Sequence, residues 1–175
     1  MLPSGLDIHN LIDDLRDYSW EAADILIYYA QKFKDLKNDI KVLENNDKTN
    51  PVTIADLKVN DLIIQRIKEK YKNINWEILS EENVKISSNS YNKNSDWIWV
   101  LDPLDGTKDF IQGTGNFAMH LALNYKRKPY IGIVLIPEKD ELWISYADKL
   151  WRENRDGSIQ KQKLSETNIL NKMTI

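Results

Sequence analysis

The spacing of apolar residues changes once along this chain, at Asp96, and that change limits what the chain can fold into. Before it, Leu11, Leu15, Tyr18, Ala22, Ile25, Leu26, Tyr29, Phe33 and Leu36 recur at helical spacing. So do Val59, Ile63 and Ile67, on a second helix that starts near Thr53 and ends around Tyr71-Lys72-Asn73. Each segment therefore buries one stripe of a helix. Trp76 to Leu79 then reads as a short buried strand, and Asn38–Asn50 and Asn83–Asn94 read as loops. After Asp96 the pattern is that of strands. Trp97-Ile-Trp-Val-Leu101 is continuously apolar and Phe117 to Tyr125 alternates. Tyr130–Ile136 and Glu141–Tyr146 face each other across the Pro137-Glu-Lys-Asp140 turn, and Lys126-Arg-Lys128 reads as a hairpin turn. Leu150-Trp-Arg-Glu153 is a last short strand before Asp156-Gly157, and Lys108 to Ile111 a short helix. The expected fold is α+β: two long helices packed on a mainly antiparallel sheet, in layers.

Composition removes several classes of function. The chain has no cysteine, which excludes disulfides, thiolate catalysis and cysteine-ligated zinc. Its net charge of −3 provides no field for a nucleic acid polymer or an anionic membrane. The longest apolar run, Tyr130 to Ile136, is too short to span a bilayer. The N-terminus lacks a basic stretch followed by an apolar one, so the default reading is cytoplasmic. With 175 residues there is room for one domain and the beginning of another. The last residues, Met173-Thr-Ile175, look like a strand just starting, and the chain reads as truncated. Residues 1–160 are expected to form one domain and 161–175 the start of a second.

Chemistry concentrates where strands end. Glu81 follows Trp76–Leu79, and Asp102 and Asp105 follow Trp97–Leu101 within the turn Asp102-Pro-Leu-Asp-Gly-Thr107. Hard cations such as Mg²⁺ require oxygen ligands and keep water or phosphate oxygens in the remaining positions. Two aspartates on either side of a proline turn, with the Leu104 carbonyl between them, can converge on one or two ions. Gly106 frees the backbone for close approach, and the amides of Gly106 to Asp109 open a helix start suited to phosphate. The competing reading is an ordinary turn, with Pro and Gly at turn positions and Asp capping amides.

The longer string Trp99-Val-Leu-Asp-Pro-Leu-Asp-Gly-Thr-Lys-Asp-Phe110 decides against the ordinary turn. It resembles the signature of the lithium-sensitive, magnesium-dependent phosphatases, the inositol monophosphatase superfamily. Pro51-Val-Thr-Ile-Ala-Asp56 resembles the P-V-T-x-A-D block and Leu79-Ser-Glu-Glu82 the (S/G)-E-E block, in the right order. The resemblance runs from about Tyr18 to Asn154 and implies a layered sugar-phosphatase-like fold. It implies that Glu81, Asp102, Asp105 and the Leu104 carbonyl bind Mg²⁺, with Mn²⁺ as a substitute. It implies that Asp56 and Thr107 orient and activate the attacking water. Glu81, Leu104, Asp105, Gly106, Thr107 and Lys108 would line the substrate, the amides of Gly106 and Thr107 holding its phosphate. The implied reaction is direct in-line attack by water, with no phosphoenzyme.

Within the superfamily, Asp105-Gly-Thr-Lys-Asp-Phe-Ile111 is similar to the CysQ-type nucleotidase branch, whereas the inositol branch usually reads D-G-T-T-N-F. A lysine in the first turn of a helix opposes the helix dipole, and an anionic substrate nearby would account for Lys108. The implied substrate is adenosine 3′,5′-bisphosphate, with an inositol or sugar phosphate as the alternative. A second alternative is a metal- and phosphate-binding fragment without turnover. It arises because the resemblance also implies a further domain bearing a Trp-Asp pair, and no such dipeptide occurs here. A family lysine before the P-V-T block would be Lys41 or Lys48. Thr53 and Asp56 also match a capping box. His120, between Met119 and Leu121, reads as a satisfied sheet histidine, His9 as surface, and Glu82 as either supporting the site or solvated. Trp97, Trp99, Trp143 and Trp151 read as core.

Overall fold

The computed structural model describes residues 2–3, 5–38, 51–82 and 95–162. Most of the Asn38–Asn50 loop, the Asn83–Asn94 loop, Lys41, Lys48 and the terminal Met173–Ile175 lie outside the described residues, as does the side chain of Leu36.

Helix α1 spans Ile8–Asn38. Asp7 caps it: its Oδ1 accepts from the amides of His9 (2.8 Å) and Asn10 (2.9 Å), two donors the first turn leaves without helical partners. Helix α2 spans Pro51–Lys70. Proline suits the first helical position because its missing N–H would have had no partner there. Thr53 is thus the third residue of the helix rather than its cap, and the capping-box reading of Thr53 and Asp56 fails. The expected stripes are otherwise the buried ones: Leu11, Leu15, Ala22 and Leu26 from α1, and Ala55, Val59, Ile63 and Ile67 from α2.

Among the described residues, seven strands form a single sheet whose order follows the chain. They are β1 (Glu77–Ser80), β2 (Trp97–Asp105), β3 (Ala118–Tyr125), β4 (Lys128–Ile136), β5 (Glu141–Tyr146), β6 (Lys149–Glu153) and β7 (Ile159–Gln162). β1 runs parallel to β2, and every other neighbouring pair is antiparallel. β7 was not expected from the sequence. Ile159 is the only apolar residue in Ile-Gln-Lys-Gln, and this edge strand forms by backbone pairing with β6 rather than by burial.

The helices cover one face of the sheet. Trp99, Leu101, Met119, Leu121, Leu123, Ile131, Ile133, Leu135, Leu142 and Ile144 project into that core. At one edge Arg16 of α1 grips the buried carboxylate of Glu153 on β6 with two nitrogens, one of them at 2.9 Å from Oε1. The indole N–H of Trp151 donates to the same oxygen. The opposite face is accessible. Ile98, Val134 and Trp143 are half-buried there and Val100 is 36% exposed. Two expectations change as a result. The apolar run Trp97–Leu101 is buried on alternate residues only, and Trp143 belongs to the open face rather than to the core. β1 likewise is not a buried strand: of its four residues only Ser80 is buried.

Candidate active site

β1 ends at Ser80, paired with Leu101, while β2 continues to Asp105. Beyond Leu101, β2 therefore has β3 on one side and no β1 partner on the other. The segment expected to be a turn is in fact this overhanging strand. Its register against β3 slips: Asp102 faces His120 but Asp105 faces Ala118, so three steps on β2 match two on β3. This is a β-bulge with one extra residue. It accommodates Pro103, which cannot donate to a regular ladder. It also redirects side chains. In a regular strand, residues three apart point to opposite faces. The bulge turns Asp102 and Asp105 to the same face, the open one, alongside Ala118 and His120. Pro103 and Leu104 are both buried beside it.

Glu81 follows directly on β1, at the carboxyl end of the parallel β1–β2 pair, the kind of crevice where open α/β sheets place ligands. It shares a groove of about 630 Å³ with Asp102, His120, Val100 and Val134. The Asp102 carboxyl is raised above the ordinary carboxylate range, first by burial and then by the charges of Glu81 and Asp105. The Leu104 amide, which donates to Asp102 Oδ1 at 3.2 Å, and His120 act in the opposite sense. Among the described residues, no three His, Asp or Glu side chains are gathered closely enough to hold an ion by themselves. The donors still fit a hard cation. They are carboxylates whose charges oppose one another, next to a backbone carbonyl, with room for the water and phosphate oxygens that Mg²⁺ retains.

Gly106 leads into α3 (Thr107–Gln112) with φ +81°, and a Cβ there would lie 2.7 Å from the Asn116 carbonyl oxygen. The Thr107 hydroxyl donates to the Leu104 carbonyl at 3.3 Å. Lys108 is exposed on the first turn of α3. Asp109 closes the next loop: its Oδ1 accepts from the Thr114 hydroxyl at 2.6 Å and its carbonyl from the amides of Gly113 and Thr114. Asp56 is half-buried on α2, with its Oδ1 buried. Glu82 is 8% exposed, which rules out the solvated reading. His120 is a sheet histidine, on β3, but it faces the open side rather than the core. Its side chain is 44% exposed and Nε2 lies 3.9 Å from Asp105 Oδ2. The sequence signal for this was its place on the same face as Ala118 and Ala122, once that face is known to be open.

The profile of the inositol monophosphatase family matches residues 8–174, nearly the whole chain. The chain belongs to that family. Among its relatives, the 3′(2′),5′-bisphosphate nucleotidase CysQ of Buchnera aphidicola is 31% identical over 144 residues, covering 80% of this chain and 49% of that protein. The CysQ nucleotidase of Haemophilus influenzae is 34% identical over 111 residues, covering 62% and 38%. The bifunctional phosphatase IMPL2 of Arabidopsis thaliana, a chloroplast protein, is 34% identical over 118 residues, covering 67% and 30%. The crystal structure of CysQ from Bacteroides thetaiotaomicron superposes with a TM-score of 0.63 at 21% identity, covering 93% of this chain and 54% of that one. Inositol monophosphatase II of Staphylococcus aureus does so at 0.61 and 24%, covering 89% and 50%. These superpositions establish the family's layered α+β fold. The chain spans about half the length of the relatives it matches, or less. The family is generally metal-dependent, and its name and those of these relatives are of phosphatases and nucleotidases. No helix among the described residues is long and apolar enough to cross a membrane.

Proposed function

We propose that this chain carries the metal- and phosphate-binding part of a Mg²⁺-dependent phosphomonoesterase acting on the 3′-phosphate of adenosine 3′,5′-bisphosphate. The observation that carries the reading is the β2 bulge, which turns Asp102 and Asp105 to one face beside Glu81, where their mutual repulsion calls for a cation. Glu81, Asp102, Asp105 and the Leu104 carbonyl would hold Mg²⁺, or Mn²⁺ in its place. When bound, such an ion neutralises phosphate charge and makes a nearby water more acidic. The amides of Gly106 and Thr107 receive the phosphate oxygens. Asp56 and Thr107 orient a water for in-line attack and accept its proton. The new bond joins the water oxygen to phosphorus, the 3′ ester bond breaks, and AMP and inorganic phosphate leave. Lys108 offers positive charge for the second phosphate of the substrate. The nucleotide rather than an inositol phosphate is favoured by Asp105-Gly-Thr-Lys-Asp-Phe-Ile111 and by several CysQ relatives at 31–34% identity.

A second reading rests on the share of its relatives that the chain spans. A binding unit without turnover needs only the site described here. Phosphate release from adenosine 3′,5′-bisphosphate, inositol phosphate and fructose bisphosphate, each with Mg²⁺ and with Mn²⁺, separates the readings. We expect metal-dependent release that is fastest from the nucleotide. Equal rates on all three would remove the assignment to the nucleotide. Metal binding without release from any of them would establish the binding unit.

A further inference from the structure

We infer that a buried hydrogen bond between Ser80 and Asn60 is the positioning lock of this site, setting the strand end that carries Glu81 against the helix that carries Asp56. The inference rests on the site reading above. The Ser80 hydroxyl donates to Asn60 Oδ1 at 2.5 Å, across twenty residues of chain. Both residues are buried, at 0% and 3% exposure. Other buried polar residues are used differently. The Ser19 hydroxyl returns to the Leu15 carbonyl of its own helix, and Glu153 is gripped by Arg16 at the other side of the sheet. Ser80 and Asn60 meet across the boundary between helix and strand.

Their places in the chain give the bond its reach. Asn60 lies four residues after Asp56 on α2, one turn along the same face. Ser80 immediately precedes Glu81, and it pairs with Leu101, which immediately precedes Asp102. A single bond thus links three elements that bear site residues. The Asn60 amide nitrogen donates to Asp61 Oδ1 at 3.2 Å, which leaves Oδ1 of Asn60 turned to Ser80.

Packing alone would not supply this. The residues α2 buries are Ala55, Val59, Ile63 and Ile67, and apolar burial is non-directional. β1 is a four-residue edge strand held by one neighbour, so its ladder alone anchors it weakly. A directional bond between buried groups fixes its position, because any shift that breaks the bond leaves a donor and an acceptor unpaired.

The test must separate positioning from mere stability. Mn²⁺ affinity is measured by calorimetry, well below the melting temperature, for the parent chain, Ser80→Ala, Ser80→Thr and Ile144→Val. Ile144 is fully buried on β5, away from the site, and its variant controls for a loss of stability alone. We expect Ser80→Ala to weaken Mn²⁺ binding about tenfold or more, as loss of a supporting bond to a metal site commonly does. Ser80→Thr, which keeps the hydroxyl, should restore most of the affinity, and Ile144→Val should leave it unchanged. If Ser80→Ala does not fold, Ser80→Cys carries the comparison, being close in shape but a feeble donor. Affinity in Ser80→Ala equal to the parent's, or reduced no more than in Ile144→Val, overturns the lock and leaves the site reading intact. A parent chain that binds no Mn²⁺ overturns both.

Discussion

Asp102 shows what the site costs the fold. Its carboxyl is raised by burial and by Glu81 and Asp105, so ionising it opposes folding. With a native pKa above the unfolded one, the native state holds its proton longer. Stability attributable to this group is therefore greatest at acid pH and is lost as pH rises through the carboxylate range. Asn keeps the acceptor that the Leu104 amide uses and removes the charge. We expect metal-free Asp102→Asn to have a higher urea midpoint than the parent at neutral pH, with the gap closing at acid pH. Mg²⁺ should reverse the order. At a hundredfold excess over its Kd it stabilises the parent by about 2.7 kcal/mol, and Asp102→Asn should keep little of that. A variant that is less stable without metal, or that gains as much from Mg²⁺, would contradict the proposed ligand role. The candidate residues were legible because the motif blocks name them. Their convergence was not. Residues 102 and 105 are an odd spacing apart, and only the bulge, forced where Pro103 meets a strand that has lost one neighbour, brings them to one face. The nearness of His120 to Asp105 was not legible for a related reason, since the sequence does not say which face of β3 is open.

At the level of elements, the β3–β4 hairpin goes against its own sequence. Tyr125 pairs with Lys128, so the loop is Lys126-Arg127, and both residues adopt left-handed φ, 48° and 65°. Two-residue hairpins of this hand favour Asn-Gly because a Cβ crowds the following carbonyl oxygen there, a clash that Gly lacks and Asn offsets by local hydrogen bonding. The Lys126 amide reaches the Asp96 carbonyl at 2.7 Å, which helps to hold the turn. Replacing Lys126-Arg127 by Asn-Gly should stabilise the chain by about 1 kcal/mol, seen as a higher thermal midpoint with unchanged Mn²⁺ affinity. A lower midpoint would mean that the two charges, rather than the backbone, carry the turn. The helices were legible because their stripes of three and four residues are unambiguous and were found buried. The antiparallel strands were legible from alternation. β7 was not, because an edge strand held by backbone pairing needs no apolar pattern, and the start of α2 was misplaced because Pro51 outweighed Thr53 as a helix signal.

Taken whole, the molecule has its helices on one face of the sheet and an apolar surface on the other. Ile98, Val100, Ala122, Val134 and Trp143 share that open face, several of them around the groove of about 630 Å³ that runs into the site. Among the described residues, no strand pairs with the outer edges of β1 and β7, and Ile159 on β7 is 59% exposed. Apolar patches and unpaired strand edges of this kind promote association. We expect this chain to bind an apolar-reporting dye and to self-associate as its concentration rises. Two substitutions separate the causes of association. Val134→Lys places a charge on the open face, and Ile159→Lys places one on the β7 edge. If the face is responsible, Val134→Lys lowers both dye binding and the mass seen by light scattering, while Ile159→Lys changes neither. If the edge is responsible, Ile159→Lys lowers the mass and leaves dye binding in place. A parent chain that stays monomeric and dark to the dye would show that neither the face nor the edge drives association.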